Sequence, residues 1–234
     1  MTLQTKLTQI PEAFLDLLFP KQCIGCGREG DFLCNSCTQT IPKLEPPYCE
    51  CCGIPLIQKQ SCPKCSKWPL QIDGIRSLFR HEELARDAAH CLKYNNLKAL
   101  AKSLARLMAE HLELNPMPAG VLVAVPMHSK RIRKRGYNQA HLIANELAKL
   151  TQLEISEGSL IRLQNTPSQV SLGADERRKN VANAFQCKDQ TFANRNVLLI
   201  DDVCTTGATL NACAIILKES GANSVWGLTF SRDC

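Results

Sequence analysis

The chain has 234 residues, 44% of them hydrophobic and 21% charged, which excludes a peptide scaffold or a wholly disordered polymer and allows one generous domain or a domain with an appendage. Its 28 basic and 22 acidic residues give a net charge of +6, too mild for a histone-like polycation, so nucleic acid is permitted without being implied. No apolar run reaches the roughly 18 residues of a membrane span, and no secretory signal is visible near the start, so the expected compartment is the cytoplasm.

Ile10, Ala13, Phe14, Leu17 and Leu18 recur at helical spacing ahead of Pro20 and predict an amphipathic helix over 1–19. Docking on its own protein is the favoured role. Peripheral association with the inner membrane is the second placement and would ask for a more basic polar face.

Residues 20–69 form a separate small module. Nine of the fourteen cysteines fall here, as Cys23-x-x-Cys26, Cys34-x-x-Cys37, Cys49-x-x-Cys52 and Cys62-x-x-Cys65, with Cys51 left over. Clustered pairs in a cytoplasmic chain signal metal rather than disulfides. Two facing knuckles supply four thiolates to a tetrahedral zinc ion, and Gly27 and Gly53 suit the tight turns that follow. Sequential pairing gives the sets Cys23/Cys26/Cys34/Cys37 and Cys49/Cys52/Cys62/Cys65, each closing a short loop; crossed pairing stays open, and Cys51 is placed to compete for the second ion. Zinc held by four cysteines has no open coordination position, so two structural Zn2+ ions are expected and no hydrolytic chemistry. Lys21, Arg28, Lys43, Lys59, Lys64 and Lys67 are read mainly as offsetting the thiolate charge, with nucleic-acid contact as the lesser reading.

From residue 70 to 234 strands and helices alternate. A strand over 72–80 precedes helices over 82–94 and 97–114, the second striped by Leu97, Ala101, Leu104, Met108 and Leu112. A buried strand over 121–125 leads through a basic turn to a helix over 136–150, whose stripe is Ala140, Ile143, Ala144 and Leu147. A strand over 159–163, a polar loop over 164–174 and a short basic helix follow. A buried strand over 197–201, a helix over 207–220 and a strand over 224–230 end the series. The expected class is α/β, a mostly parallel sheet covered on both faces by helices.

The sharpest motif is the apolar strand ending in Asp201 and Asp202, followed by a hydroxyl-rich loop, Thr205, Thr206, Gly207, Ala208 and Thr209, that opens a helix. Backbone N–H groups at that helix start, with the threonine hydroxyls, suit a phosphate. Adjacent carboxylates suit a ribose diol, directly or near a hydrated Mg2+. No Walker loop is present, so the pattern asks for a sugar phosphate.

This stretch resembles the phosphoribosyl pyrophosphate (PRPP) motif of type I phosphoribosyltransferases. The cysteine pairs, Leu92-Lys93-Tyr94, Val125-Pro126, Arg131, Arg133, the Arg135-Gly136-Tyr137-Asn138-Gln139-Ala140 block, Thr166-Pro167-Ser168-Gln169, Leu172, Arg177, Asn180, Val181, Ala184 and Phe185 extend the likeness. The whole is similar to the ComF family of competence-associated proteins from about Leu17 onward. The resemblance implies the type I phosphoribosyltransferase fold behind a double zinc ribbon, Mg2+ arriving with PRPP, and PRPP contacts from Asp201, Asp202, the 205–209 loop, Pro126, Met127, His128 and Arg131. Arg131 and Arg135 become candidates to neutralise the pyrophosphate leaving group. Ser168 and Gln169 would lie in a loop that closes over substrate, with Arg177 and Asn180 anchoring it or capping a helix.

Lys130, Arg131, Arg133, Lys134 and Arg135 are more charge than one small ligand needs, so a solvated face or a nucleic-acid backbone accounts for the surplus. Thr205 stands where related purine-salvage enzymes carry an acid/base carboxylate. Four residues follow Phe230, so a hood over a base is expected from the segment 72–118, with Lys93 and Tyr94 as its polar candidates. His81, His90, His111 and His141 read as surface or packing residues. Three functions follow: a competence protein handling single-stranded DNA alongside other competence proteins, a Mg2+-dependent phosphoribosyltransferase of nucleotide metabolism with an unidentified acceptor, and a PRPP sensor without turnover.

Overall fold

The alternating signals of the second half fold into a five-stranded sheet in which every neighbouring pair runs parallel. The computed structural model describes residues 20–58, 61–164 and 184–234. The expected helix over 1–19, Lys59, and the segment holding Thr166, Pro167, Ser168, Gln169, Leu172, Arg177, Asn180 and Val181 lie outside the described residues.

The chain divides into two compact units, 1–40 and 41–234. The described part of the first contains helix α1 (Asn35–Thr40) and a bridge between Gln22 and Glu29, around the buried Cys23 and Leu33. The second unit opens with helix α2 (Pro63–Lys67) and continues with strand β1 (Gly74–Arg80), helices α3 (Glu83–Tyr94) and α4 (Leu100–Leu114), and strand β2 (Val121–Ala124). Helix α5 (Ser129–Arg135) and helix α6 (Gln139–Thr151) come next, then strands β3 (Glu154–Ser156), β4 (Leu160–Arg162), β5 (Phe185–Cys187) and β6 (Asn196–Cys204). Helix α7 (Ala208–Glu219) and strand β7 (Ser224–Arg232) complete it.

The strand order is β1-β7-β6-β2-β3, with β4 and β5 as a separate antiparallel ribbon. Strand period 2 explains the unbroken apolar runs of the central strands. Val121, Val123, Val197 and Leu199 join the core formed with Leu210, Cys213, Ala214 and Leu217 of α7 and with Leu160 and Phe185 of the ribbon. Their neighbours Leu122, Leu198 and Ile200 are fully buried as well, where α6 packs on β2 and β6. The mostly parallel sheet with flanking helices is therefore as expected.

Local differences have local causes. Strand β1 starts two residues later than predicted because Ile72 and Asp73 are tied elsewhere. Asn211 Oδ1 accepts the N–H of Gln71 at 2.6 Å and of Ile72 at 3.3 Å, and Asp73 Oδ2 accepts that of Val225 at 2.7 Å. The basic turn is a helix, α5, closed by Gly136 in the left-handed conformation. Strand β3, unforeseen, forms one edge of the sheet; Glu154 there receives both Arg195 guanidinium nitrogens at 2.9 and 2.7 Å.

Candidate functional site

Two kinds of site are built from the singled-out residues. The first is the pair of cysteine clusters. Cys23, Cys26, Cys34 and Cys37 bring their sulfurs within 4.8 Å of one another, and so do Cys49, Cys52, Cys62 and Cys65. Four thiolates about 2.3 Å from a central zinc ion lie about 3.8 Å apart. The Sγ–Sγ distances Cys26–Cys34, Cys49–Cys65 and Cys52–Cys62 are each 3.7 Å. The N–H of Cys34 reaches Cys23 Sγ and that of Cys52 reaches Cys49 Sγ, both at 3.5 Å, as donors around zinc thiolates do. Both sets fit structural zinc, which would cross-link its loops and offer no open position. The pairing is sequential; Cys51 packs against the second cluster but is not one of its four sulfurs, and its Sγ lies 3.6 Å from Ile72 O.

In the second cluster Gly53 turns the chain at φ 72°, and a Cβ there would stand 2.3 Å from Ile75 O. Only glycine lets this knuckle lie on β1. Ile75 N–H donates to Cys51 O at 2.8 Å, and Arg76 donates to Glu50 O at 2.7 Å while its guanidinium lies over Tyr48 and Trp226.

The other site is a cleft of about 310 Å³ at the carboxyl ends of β2 and β6, where ligands of open α/β sheets bind. Pro126, Met127, Arg131, Arg135, Asp201, Asp202, Thr205, Thr206, Gly207, Ala208 and Thr209 all line it, and so do Lys93 and Tyr94. Gly207 takes φ 80° so that the loop turns into α7, whose first residues Ala208, Thr209 and Leu210 line the cleft. Thr206 Oγ1 accepts the N–H of Ala208 at 3.2 Å. Beneath the loop Arg232, 1% exposed, donates to Cys204 Sγ at 3.0 Å.

Asp202 is buried and receives Lys93 Nζ at 2.7 Å. Burial alone would raise its carboxyl, but the Lys93 ammonium holds it below the usual range. Asp201 goes the other way: burial, then the charge of Asp202, pushes it well above that range. Its Oδ1 accepts the N–H of Asp202 at 2.9 Å. On the opposite wall burial, and then the neighbouring guanidinium of Arg135, lowers Arg131; burial, and then Arg131, lowers Arg162. Burial and mutual repulsion thus both disfavour the charged forms of these two guanidinium groups at the cleft.

The Arg-Gly-Tyr-Asn-Gln block builds this wall. Arg135 donates to Gln139 Oε1 and lies over the Tyr94 ring. Tyr137 donates its hydroxyl to Leu92 O at 2.6 Å, fixing the end of α3 that carries Lys93. Asn138 caps α6 through Ala140 N–H and donates to Val125 O at 2.9 Å. The block is thus largely a positioning device.

His128 is not among the lining residues; its Nδ1 accepts the N–H of Lys130 at 3.2 Å and caps α5. Lys130, Arg133 and Lys134 are exposed and away from the cleft lining, whereas Arg131 and Arg135, one turn apart, face into it. His81, a surface or packing residue by its sequence, lines the cleft, and so does Arg162. Neither carries a motif: β4 is three residues long, and His81 simply follows β1.

Residues 14–66 match the model of the double zinc ribbon domain family. The chain is 31% identical over 207 residues to Competence protein F of Haemophilus influenzae, covering 84% of this chain and 89% of that one. It is 30% identical over 208 residues to Competence protein ComFC of Bacillus subtilis, covering 86% and 84%. With the DNA utilization protein YhgH of Escherichia coli the figures are 25% over 199 residues, 82% and 87%. Among solved structures, glutamine PRPP amidotransferase from Bacillus subtilis aligns with a TM-score of 0.39 at 19% identity, over 55% of this chain and 25% of that one. A hypoxanthine phosphoribosyltransferase from Staphylococcus aureus aligns with a TM-score of 0.32 at 15% identity, over 55% and 61%. Among the described residues no helix is long and apolar enough to cross a membrane.

Proposed function

Because the chain belongs to the ComF family of competence proteins, we propose that its cleft binds PRPP and that the protein works in the cytoplasm on single-stranded DNA during natural transformation. One observation carries the PRPP reading. The acidic pair, the hydroxyl-rich helix start and the depressed guanidinium groups of Arg131 and Arg162 meet in a single cleft. Anionic oxygens suit the helix start and the arginines, and a ribose diol suits the carboxylates.

Mg2+ enters with PRPP in this reading. Lys93 pairs directly with Asp202, while burial and the Asp202 charge outweigh the pull of Lys93 on Asp201, so Asp201 is the hard-oxygen donor that gains from a hydrated ion. The ion would supply charge neutralisation of the pyrophosphate. Calorimetric titration of the zinc-loaded protein with PRPP, with and without Mg2+, tests the binding. Wild type binds, and Asp201→Asn/Asp202→Asn loses at least tenfold in affinity, about 1.4 kcal/mol. A folded wild type that takes up no PRPP sinks the reading.

The DNA reading rests on the outer face of α5, where Lys130, Arg133 and Lys134 are exposed. With 5% aromatic residues in the chain, binding runs through phosphates and depends steeply on salt. Reversing these three charges to Glu lowers single-strand affinity, and the log–log salt slope flattens by about 0.7 for each phosphate no longer neutralised. An unchanged gel-shift isotherm across the salt series removes this face from DNA binding. Turnover of PRPP, beyond binding, is a second reading favoured by a titratable group on the cleft wall, His81.

A further inference from the structure

Transfer of a phosphoribosyl group to an N–H or O–H nucleophile leaves one proton to be taken away. Asp201 is a poor acceptor for it: burial and then the charge of Asp202 favour its protonated form in the free cleft, and in the loaded one its oxygen is given to the hydrated ion. Asp202 is held by the Lys93 ammonium. Lysine and arginine side chains carry their protons at neutral pH. The Cys204 thiol is buried, and burial pushes it up. Thr205 brings a hydroxyl where a carboxylate would serve.

His81 is different. Its backbone N–H donates to Arg232 O at 2.6 Å, and its Nδ1 lies 2.8 Å from Ser231 Oγ. Among the described residues no partner engages Nε2 of this cleft-lining ring. We propose that His81 is the general base for the nucleophile that attacks the anomeric carbon of PRPP, acting in the tautomer whose Nδ1–H donates to Ser231 Oγ and whose Nε2 is free to accept. The inference rests on the PRPP reading and goes beyond it by assigning the proton.

In this step the nucleophile's lone pair forms the bond to C1; the C1–O bond breaks and its electrons leave with pyrophosphate, into the field of Arg131 and Arg135. The proton released by the nucleophile goes to Nε2, while Nδ1–H stays on Ser231 Oγ. His81 is faced by the cations Lys93 and Arg86 and the anions Asp202 and Asp233; burial, then Lys93, lowers it from its ordinary value, so the ring is neutral and able to accept a proton at pH 7.

The test uses the full zinc-loaded chain with PRPP and Mg2+. Pyrophosphate release is followed from pH 5 to 9 (roughly the span in which a histidine titrates) with water, primary amines, nucleobases and nucleosides as acceptors, and calorimetry is run in parallel. The wild-type rate falls on acidification with an inflection below about 6.5. His81→Gln loses roughly 10²–10⁴ in rate and the inflection, yet binds PRPP within a few fold of wild type. Ser231→Ala loses less and shifts the inflection, and imidazole partly rescues His81→Ala. Wild-type rates in His81→Gln, or an affinity loss equal to the rate loss, overturn the proposal. Binding without release from any acceptor overturns it and leaves the PRPP reading standing; no binding overturns both.

Discussion

The two four-cysteine clusters have the same ligand chemistry and opposite settings. In the first, Cys26 is exposed and only Cys23 is buried; in the second, Cys49, Cys52 and Cys62 are all buried. Gly27 of the first knuckle has open space around it, whereas Gly53 of the second lies against the β1 backbone. The first cluster holds together a short, loop-rich unit; the second is joined to the sheet that makes the cleft. Identical motifs thus have different consequences, decided by what the knuckle touches rather than by its ligands.

The largest expected effect comes from removing the metal. Structural zinc contributes roughly 10–16 kcal/mol in small domains, as much as a domain's whole net stability. Cys52→Ser is expected to unfold β1 and to abolish ligand uptake in the cleft, while Cys26→Ser leaves residues 41–234 with wild-type thermal unfolding. Chelation followed with a zinc-sensitive dye releases the first ion early and the second only with loss of tertiary signal. Release of both ions in one phase would break the comparison.

A smaller and sharper contrast is the glycine pair. Gly27→Ala costs only the left-handed backbone, about 1–2 kcal/mol. Gly53→Ala adds a 2.3 Å approach to Ile75 O and is expected to cost roughly 3 kcal/mol or more in total. Chemical denaturation of both variants reads the difference, and equal costs would mean that the knuckle is not seated on β1. The smallest effect is that of Arg76→Ala, which removes the bond to Glu50 O and the stack on Tyr48 and Trp226. About 1–2 kcal/mol is expected, with zinc content unchanged by metal analysis.

Much of this is legible in the residue order. Cysteine spacing marks the four pairs and favours short-loop sequential sets, the fold then choosing these over the crossed ones, and the run ending in Asp201–Asp202 marks a strand buried on both faces. The long helices declare themselves through apolar stripes. Helix α5 does not, since seven residues dominated by charge have no apolar period to read. The three-residue strands β3, β4 and β5 are held by their neighbours and carry no pattern of their own. Lys93 stands out in the sequence, but its partner Asp202 is distant along the chain and is met only once Tyr137 has tied α3 to the cleft wall. His81 and Arg162 reach the cleft through the fold alone. The placement of His128 at a helix cap shows the converse, a motif-adjacent residue whose geometry is local.

Strand β3 closes one side of the sheet with three residues, and its first side chain is clasped by Arg195 across to the Gly120 carbonyl. An open β edge is an invitation to other chains, since its spare amides and carbonyls can template a further strand. Here that invitation is short, and a guanidinium fork occupies the carboxylate beside it. This margin of the sheet is thereby a poor template for a further strand. Lengthening β3, or replacing Arg195 and Glu154 with threonine, would turn a guarded margin into a seed.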